Sequence, residues 1–226
     1  ALRTKSELPL QLSMTSEREE WEKLRWRNVM KTIELFEYDK SLGAELLGGI
    51  DEAGRGPLCG PVVCACCVMP YDKMIDGIND SKKVSETKRE LLFDEIKNRA
   101  LAYSVSIVSP EEIDRINILN ATKKGMEECI NNISIKPDYI LIDAVKLAVS
   151  VPTKSIIKGD ATSYCIAAAS ILAKVTRDRI MREYDEKYPE YGFARNKGYG
   201  TKQHIEAIKK YGLCEIHRRT FVKNFI

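Results

Sequence analysis

Histidine is scarce: His204 and His217 are the only two in 226 residues. Neither stands at a recognisable metal-ligand spacing, which argues against a histidine-built zinc enzyme. Long apolar runs are also missing. Nothing approaches the roughly 20 residues of a membrane span, and the N-terminus lacks the apolar core of a secretory leader. Excess charge is small, and a net +3 is too little to establish a nucleic-acid partner. There is no internal repeat and no low-complexity tract. Of the seven cysteines, only Cys64 and Cys67 have C-x-x-C spacing, and no second pair matches them. That argues against a cysteine-bound zinc protein.

What is present fits a globular protein. Apolar residues make up 44% of the chain, enough for a sizeable core. The length suits one domain with an extension, or two small domains. Cys64, Cys66 and Cys67 crowd the apolar stretch Pro61 to Met69, where alternating strand faces suit buried thiols better than disulfides. This usage predicts a reducing, cytoplasmic setting. From Lys174 onward the chain is rich in cations: Arg177, Arg179, Arg182, Arg195, Lys197, Lys202, Lys209, Lys210, Arg218, Arg219 and Lys223. They read either as a phosphate-binding face or as a solvated mixed-charge surface.

Residues 1–44 differ from the rest. A charged segment runs from a cap at Thr15-Ser16 to about Asp39, and Trp26, Val29, Met30, Ile33 and Phe36 recur at helical spacing. This predicts an amphipathic helical extension ending near Ser41-Leu42-Gly43, its apolar face packed on the main domain by default, or else turned to substrate or another protein. Residues 45–226 then alternate. Strands are predicted at Leu46–Asp51, Pro61–Met69, Tyr103–Val108, Tyr139–Ile142 and Ser155–Ile157. Helices are predicted at Ser85–Arg99, from Ser109-Pro110-Glu111-Glu112, at Asn120–Asn131, at Ala161–Tyr188 directly after Gly159-Asp160, and at Thr201–Tyr211, closed by Gly212. The order predicts an α/β fold: a central mixed sheet flanked by helices, with a helical C-terminal part.

Four acids stand where chain geometry exposes them. Asp51 and Glu52 follow an apolar strand, Asp143 ends another, and Asp160 precedes the long helix. Sites in α/β sheets collect at strand ends and helix starts, so the four can converge. Asp160 alone has a second reading, as the helix N-cap. Adjacent residues on a strand face opposite ways, so Asp51 and Glu52 need a local bend to serve one site, and Gly54-Arg55-Gly56 supplies flexible backbone for it. Carboxylates without histidines suit hard ions, Mn2+ or Mg2+. Two such ions can drive phosphodiester cleavage.

Six strings appear in one order: Asp51-Glu52-Ala53-Gly54-Arg55-Gly56-Pro57, Asp80-Ser81-Lys82-Lys83, Ile142-Asp143, Lys158-Gly159-Asp160, Ile166 to Arg179, and Gly198-Tyr199-Gly200-Thr201. With them, residues 45–226 closely resemble bacterial ribonuclease HII. The resemblance implies a ribonuclease H-like fold and a two-metal endoribonuclease with Asp51, Glu52, Asp143 and Asp160 as metal-binding acids. It implies that Gly54, Arg55 and Gly56 act with Tyr199 to recognise a ribonucleotide, whose 2′-hydroxyl separates RNA from DNA. The implied substrates are RNA/DNA hybrids and duplex DNA with single embedded ribonucleotides, cut on the 5′ side to leave 3′-hydroxyl and 5′-phosphate ends.

Ser81, Lys82 and Lys174 are the expected phosphate contacts, with Ser170 on the same helical face as Lys174. Asn117 orders its loop or touches substrate, and Ala167-Ala168-Ala169 allows close helix-to-sheet packing. Ala144 departs from the glycine of many relatives, and its small size predicts little effect. The mobile histidine of ribonuclease HI cannot be assigned to His204 or His217. A monomer is expected, and no protein partner is named. A DNA-only nuclease of the same fold is the first rival, disfavoured by Gly54-Arg55-Gly56 and Tyr199. A non-enzymatic binding module is the second, disfavoured by the four intact acids, since such a module gains nothing from anions facing phosphates.

Overall fold

A computed structural model describes residues 9–223. Helix α1 (Pro9–Ser41) leads into β1 (Leu47–Ala53) and β2 (Val62–Val68), followed by α2 (Glu86–Arg99) and β3 (Ala102–Val108). Two helices come next, α3 (Pro110–Ile116) and α4 (Ile118–Asn132), before β4 (Tyr139–Asp143) and β5 (Thr153–Ile156). The long α5 (Tyr164–Lys187) and the shorter α6 (Phe193–Asn196), α7 (Lys202–Tyr211) and α8 (Arg219–Val222) complete the order. The strands form one sheet in the order β3-β2-β1-β4-β5. β1 is antiparallel to β2 and parallel to β4, so the sheet is mixed, as the element order predicts.

Strands β1, β2 and β4 alternate between two cores. On one face, Leu47 and Leu141 pack with Ile166 of α5, and Ala65 and Cys67 join the core beneath α5, α1 and α2. On the other face, Ile50, Cys64, Cys66, Ile140 and Ile142 pack with Met126, Cys129 and Ile130 of α4. Cys64 and Cys67 therefore belong to opposite faces, and their C-x-x-C spacing has no meeting point. All seven cysteines are free thiols. Among the described residues, no helix is long and apolar enough to cross a membrane.

The contact that sets the site's geometry is β1 against α5. A β-carbon on Gly49 would stand 2.1 Å from the Cys165 carbonyl carbon and 2.2 Å from the Ile166 nitrogen. Only glycine lets the helix backbone lie on the strand. The Ala167-Ala168-Ala169 run is fully buried beyond it. Gly49→Ala is expected to destabilise the protein by about 3 kcal/mol, the upper end for overpacking, because backbone rather than a flexible side chain must give way. Urea unfolding checks this.

Helix α1 corrects two sequence expectations. It runs through Thr15 and Ser16, so these do not cap it. Its packed face shares only Phe36 and the partly buried Val29 with the Trp26–Phe36 stripe. Trp26 is 68% and Met30 53% exposed, and Ile33 is exposed too, while Thr32, Leu35, Phe36 and Asp39 are buried. The reason is that two anchors are polar. Thr32 Oγ1 donates to the Ile78 carbonyl and accepts from Gly77 N–H, each at 3.1 Å. Asp39 Oδ2 accepts from Cys165 N–H (2.8 Å) and the Ser163 hydroxyl (3.1 Å). Hydropathy cannot mark residues that bury themselves by hydrogen bonding.

Candidate active site

β1 carries Asp51 and Glu52 inside its paired region, opposite Ala65 and Cys64 of β2. The expected bend between them does not occur. The strand runs on to Ala53, and the turn comes at Gly54, at φ +98. By the pleat, Asp51 faces α5 and Glu52 the α4 side. Both nevertheless line one cleft of about 330 Å3, because they lie at the sheet's rim, where β4 also ends in Asp143. Ala53, Gly54, Arg55, Gly56, Ser81, Lys82, Ser170, Lys174, Arg177 and Tyr199 complete its walls. Ser81 and Ser170 share a hydrogen bond of 2.9 Å.

Asp143 is aimed by its neighbours: Gly159 N–H donates to its Oδ1 at 2.7 Å. That contact brings Asp160 alongside. Asp160 is not a helix N-cap. Residues Gly159–Ala161 form a 3-10 turn, and Ser163 caps α5 by accepting from Ile166 N–H. The Asp160 carboxylate is left free to approach Lys82, 3.7 Å from its Nζ.

The acids crowd an environment that resists their charge. Burial, then the Glu52 carboxylate, pushes the Asp51 carboxyl well above its ordinary value. Burial raises Glu52 as well, opposed by Arg55, whose Nη1 lies 3.5 Å from Oε1. Asp160 is raised by burial and then by Asp80. Glu52 Oε2 is buried without a hydrogen-bond partner. Buried, mutually repelling, oxygen-only donors fit hard divalent cations, which would offset the repulsion and supply the missing partner. Among the described residues, no three of these carboxylates bring oxygens within 4.8 Å of one another. They surround a space rather than a point.

The loop after β1 is held from below by two arginines that sequence reading placed among surface cations. Arg218 is fully buried. Its guanidinium donates to the carbonyls of Gly54, Arg55, Pro57 and Gly60 at 2.6–3.0 Å. Arg177, also buried, donates to the carbonyls of Cys59, Pro61 and Lys197. A β-carbon on Gly54 would stand 2.1 Å from Arg177 Nε, so this glycine serves the arginine as well as the turn. Gly56 is different: a β-carbon there meets only Tyr199, at an ordinary 3.7 Å. Leu58 N–H donates to the Gly198 carbonyl (2.8 Å), tying the loop to the turn that carries the half-exposed Tyr199.

The basic C-terminal stretch is therefore not one cationic face. Arg179 and Arg182 pair with Glu86 and Glu90 of α2, and Lys174 with Asp178 at 2.7 Å. Only buried partners distinguish Arg177 and Arg218 from these, and nothing in their local sequence marks that. Asn117 orders its loop: at φ +65, it caps α4 by accepting from Asn120 N–H.

Ala144 corrects another expectation. It sits at φ +51, a left-handed conformation that costs a residue with a β-carbon roughly 1–2 kcal/mol. Ala144→Gly is expected to stabilise the fold by about 1 kcal/mol, after the glycine's greater unfolded-state entropy is subtracted. A rise in the denaturation midpoint with an unchanged slope checks this.

Comparison with known proteins gives a consistent answer. A family model described as Ribonuclease HII matches residues 48–224. A protein named Ribonuclease HII from Acetivibrio thermocellus is 54% identical over 215 residues, covering 93% of this chain and 84% of that protein. One of the same name from Clostridioides difficile is 55% identical over 201 residues, covering 87% and 78%. The crystal structure of ribonuclease H2 from Pyrococcus horikoshii OT3 matches with a TM-score of 0.69 at 30% identity, covering 80% of this chain and 96% of that one. Ribonuclease HII from Archaeoglobus fulgidus, solved in complex with PCNA, gives 0.66 at 28% identity, covering 77% and 94%.

Proposed function

Because the chain belongs to the ribonuclease HII family, endoribonucleases of RNA/DNA hybrids, we propose that its cleft hydrolyses the phosphodiester on the 5′ side of a ribonucleotide. The substrate is either a hybrid or duplex DNA carrying a single ribonucleotide, as ribonucleotide excision repair requires. The products are 3′-hydroxyl and 5′-phosphate ends. The observation that carries this reading is one cleft lined by Asp51, Glu52 and Asp143 beside the Gly54–Gly56 turn and Tyr199, with Asp160 next to it. Residues 45–226 make up the catalytic domain and 1–44 an extension, anchored by the last turns of α1.

Asp51, Glu52, Asp143 and Asp160 hold divalent ions, Mn2+ or Mg2+. When bound, these supply Lewis-acid activation of the attacking water and stabilise charge on the leaving 3′-oxygen. The spread of the carboxylates suits two ions sharing them. Backbone groups of Gly54, Arg55 and Gly56 meet the 2′-hydroxyl, a donor and acceptor that deoxyribose lacks. Tyr199 stacks on the neighbouring sugar. Ser81 and Lys82 reach backbone phosphates, which position the duplex without reading its sequence. Lys174 reaches phosphate only by leaving Asp178.

A hybrid cleavage assay with Mg2+, with Mn2+ and with excess chelator tests the metal assignment. The RNA strand should be cut with either ion and left intact under chelation. Undiminished turnover in chelator would remove it.

A further inference from the structure

Away from the cleft, three separate segments bring Cys59, His204 and His217 together. Their ligand atoms lie within 4.8 Å of one another. All three residues are buried, at 0%, 0% and 3% exposure. The two Nε2 atoms are 3.1 Å apart. Two nitrogens bound to one tetrahedral zinc at about 2.0–2.1 Å would be separated by roughly 3.3 Å. Sequence spacing hides this group, because its members come from the loop after β1, from α7 and from the segment before Arg218. We propose that Cys59, His204 and His217 form a second metal site that takes a borderline thiophilic cation, Zn2+, rather than the hard ions of the acidic cleft. The proposal does not depend on the reading of that cleft.

The surroundings of the rings support it. His204 Nδ1 lies 2.9 Å from the Tyr199 carbonyl. An N–H donated there fixes the tautomer that leaves Nε2 bare, the arrangement by which metal-bound histidines are usually oriented. Burial depresses the pKa of both imidazoles, His217 to about 4, so both are neutral near pH 7. Without metal the rings share one proton: Cys214 N–H donates to His217 Nδ1 at 3.0 Å, so Nε2–H of His217 points at His204.

Metal binding replaces that shared proton. The proton of His217 moves from Nε2 to Nδ1, where the Cys214 carbonyl lies 3.3 Å away. Cys59 loses its thiol proton to solvent, three protein-metal bonds form and one water that the ion keeps completes the tetrahedron, with no change of oxidation state. Thiolate with imidazole selects zinc over magnesium or manganese. The filled site would pin the loop after β1 to α7 and, through His204, to the turn bearing Tyr199.

Cobalt(II) substitution tests the proposal without an activity assay. One equivalent of Co2+ added to the full-length reduced protein should give tetrahedral d–d bands and a thiolate-to-cobalt charge-transfer band, and one equivalent of Zn2+ should bleach both. Cys59→Ala should remove the charge-transfer band, while Cys214→Ser and Asp143→Asn retain it. Absence of the band in the folded wild-type protein would overturn the proposal, as would its survival in Cys59→Ala. The wild-type measurement decides even if a variant fails to fold.

Discussion

Asp143→Asn is expected to reduce hybrid cleavage by at least about a thousandfold, roughly 4 kcal/mol of transition-state stabilisation, while hybrid binding stays within a few-fold of wild type. The change is nearly isosteric. Asn Oδ1 can still accept from Gly159 N–H, the 2.7 Å bond that aims the side chain. Stability should therefore stay within about 0.5 kcal/mol, as for substitutions that break no packed contact. What disappears is a negative charge at the end of β4, beside Asp51, Glu52 and Asp160. Binding does not need that charge, because the phosphate backbone is repelled by it. Single-turnover cleavage and gel-shift titration of the same hybrid separate the two effects. Full activity in the variant would remove Asp143 from the site.

Arg218→Met is expected to cost at least about 3 kcal/mol of stability, since several buried carbonyls lose their donor at about 1–3 kcal/mol each. It should also lower kcat/KM on ribonucleotide substrates by at least about a hundredfold. The side chain touches no substrate in this account. It acts by gathering the carbonyls of Gly54, Arg55, Pro57 and Gly60 on one guanidinium. Methionine fills similar volume and leaves those carbonyls without their donor. Arg218→Lys keeps a charge, but its ammonium lacks the planar fork that reaches four acceptors, so it should restore part of the stability and little of the turnover. Urea unfolding and steady-state kinetics on one preparation check both halves. Wild-type kinetics in a folded Arg218→Met protein would show that the loop keeps its shape unaided.

Much of the architecture was legible because its signals are local. Ser85, Ser109 and Thr201 are N-caps where the sequence placed helix starts, and the apolar strands β2 and β4 stand where expected. The acids at strand ends were legible for the same reason. What stayed hidden depends on partners far along the chain. The packed face of α1 is set by Thr32 and Asp39, whose bonds reach Ile78 and Cys165. The N-cap of α5 is Ser163 rather than Asp160, because a 3-10 turn intervenes. Arg177 and Arg218 look like surface cations until their carbonyl partners in the loop after β1, more than 100 residues away, are known. The strain at Ala144 and the meeting of His204 with His217 are likewise properties of the folded backbone.

On the proposed reading, the acids at the sheet rim and the turn beside them cut next to a ribonucleotide and nowhere else. This selectivity is tested most directly with an end-labelled DNA duplex containing one ribonucleotide, assayed beside its all-DNA counterpart with Mg2+ or Mn2+. A single cut on the 5′ side of the ribonucleotide, with a 3′-hydroxyl end, is expected, and the all-DNA duplex should stay untouched. Equal cutting of the all-DNA duplex, or cleavage on the 3′ side of the ribonucleotide, would contradict it.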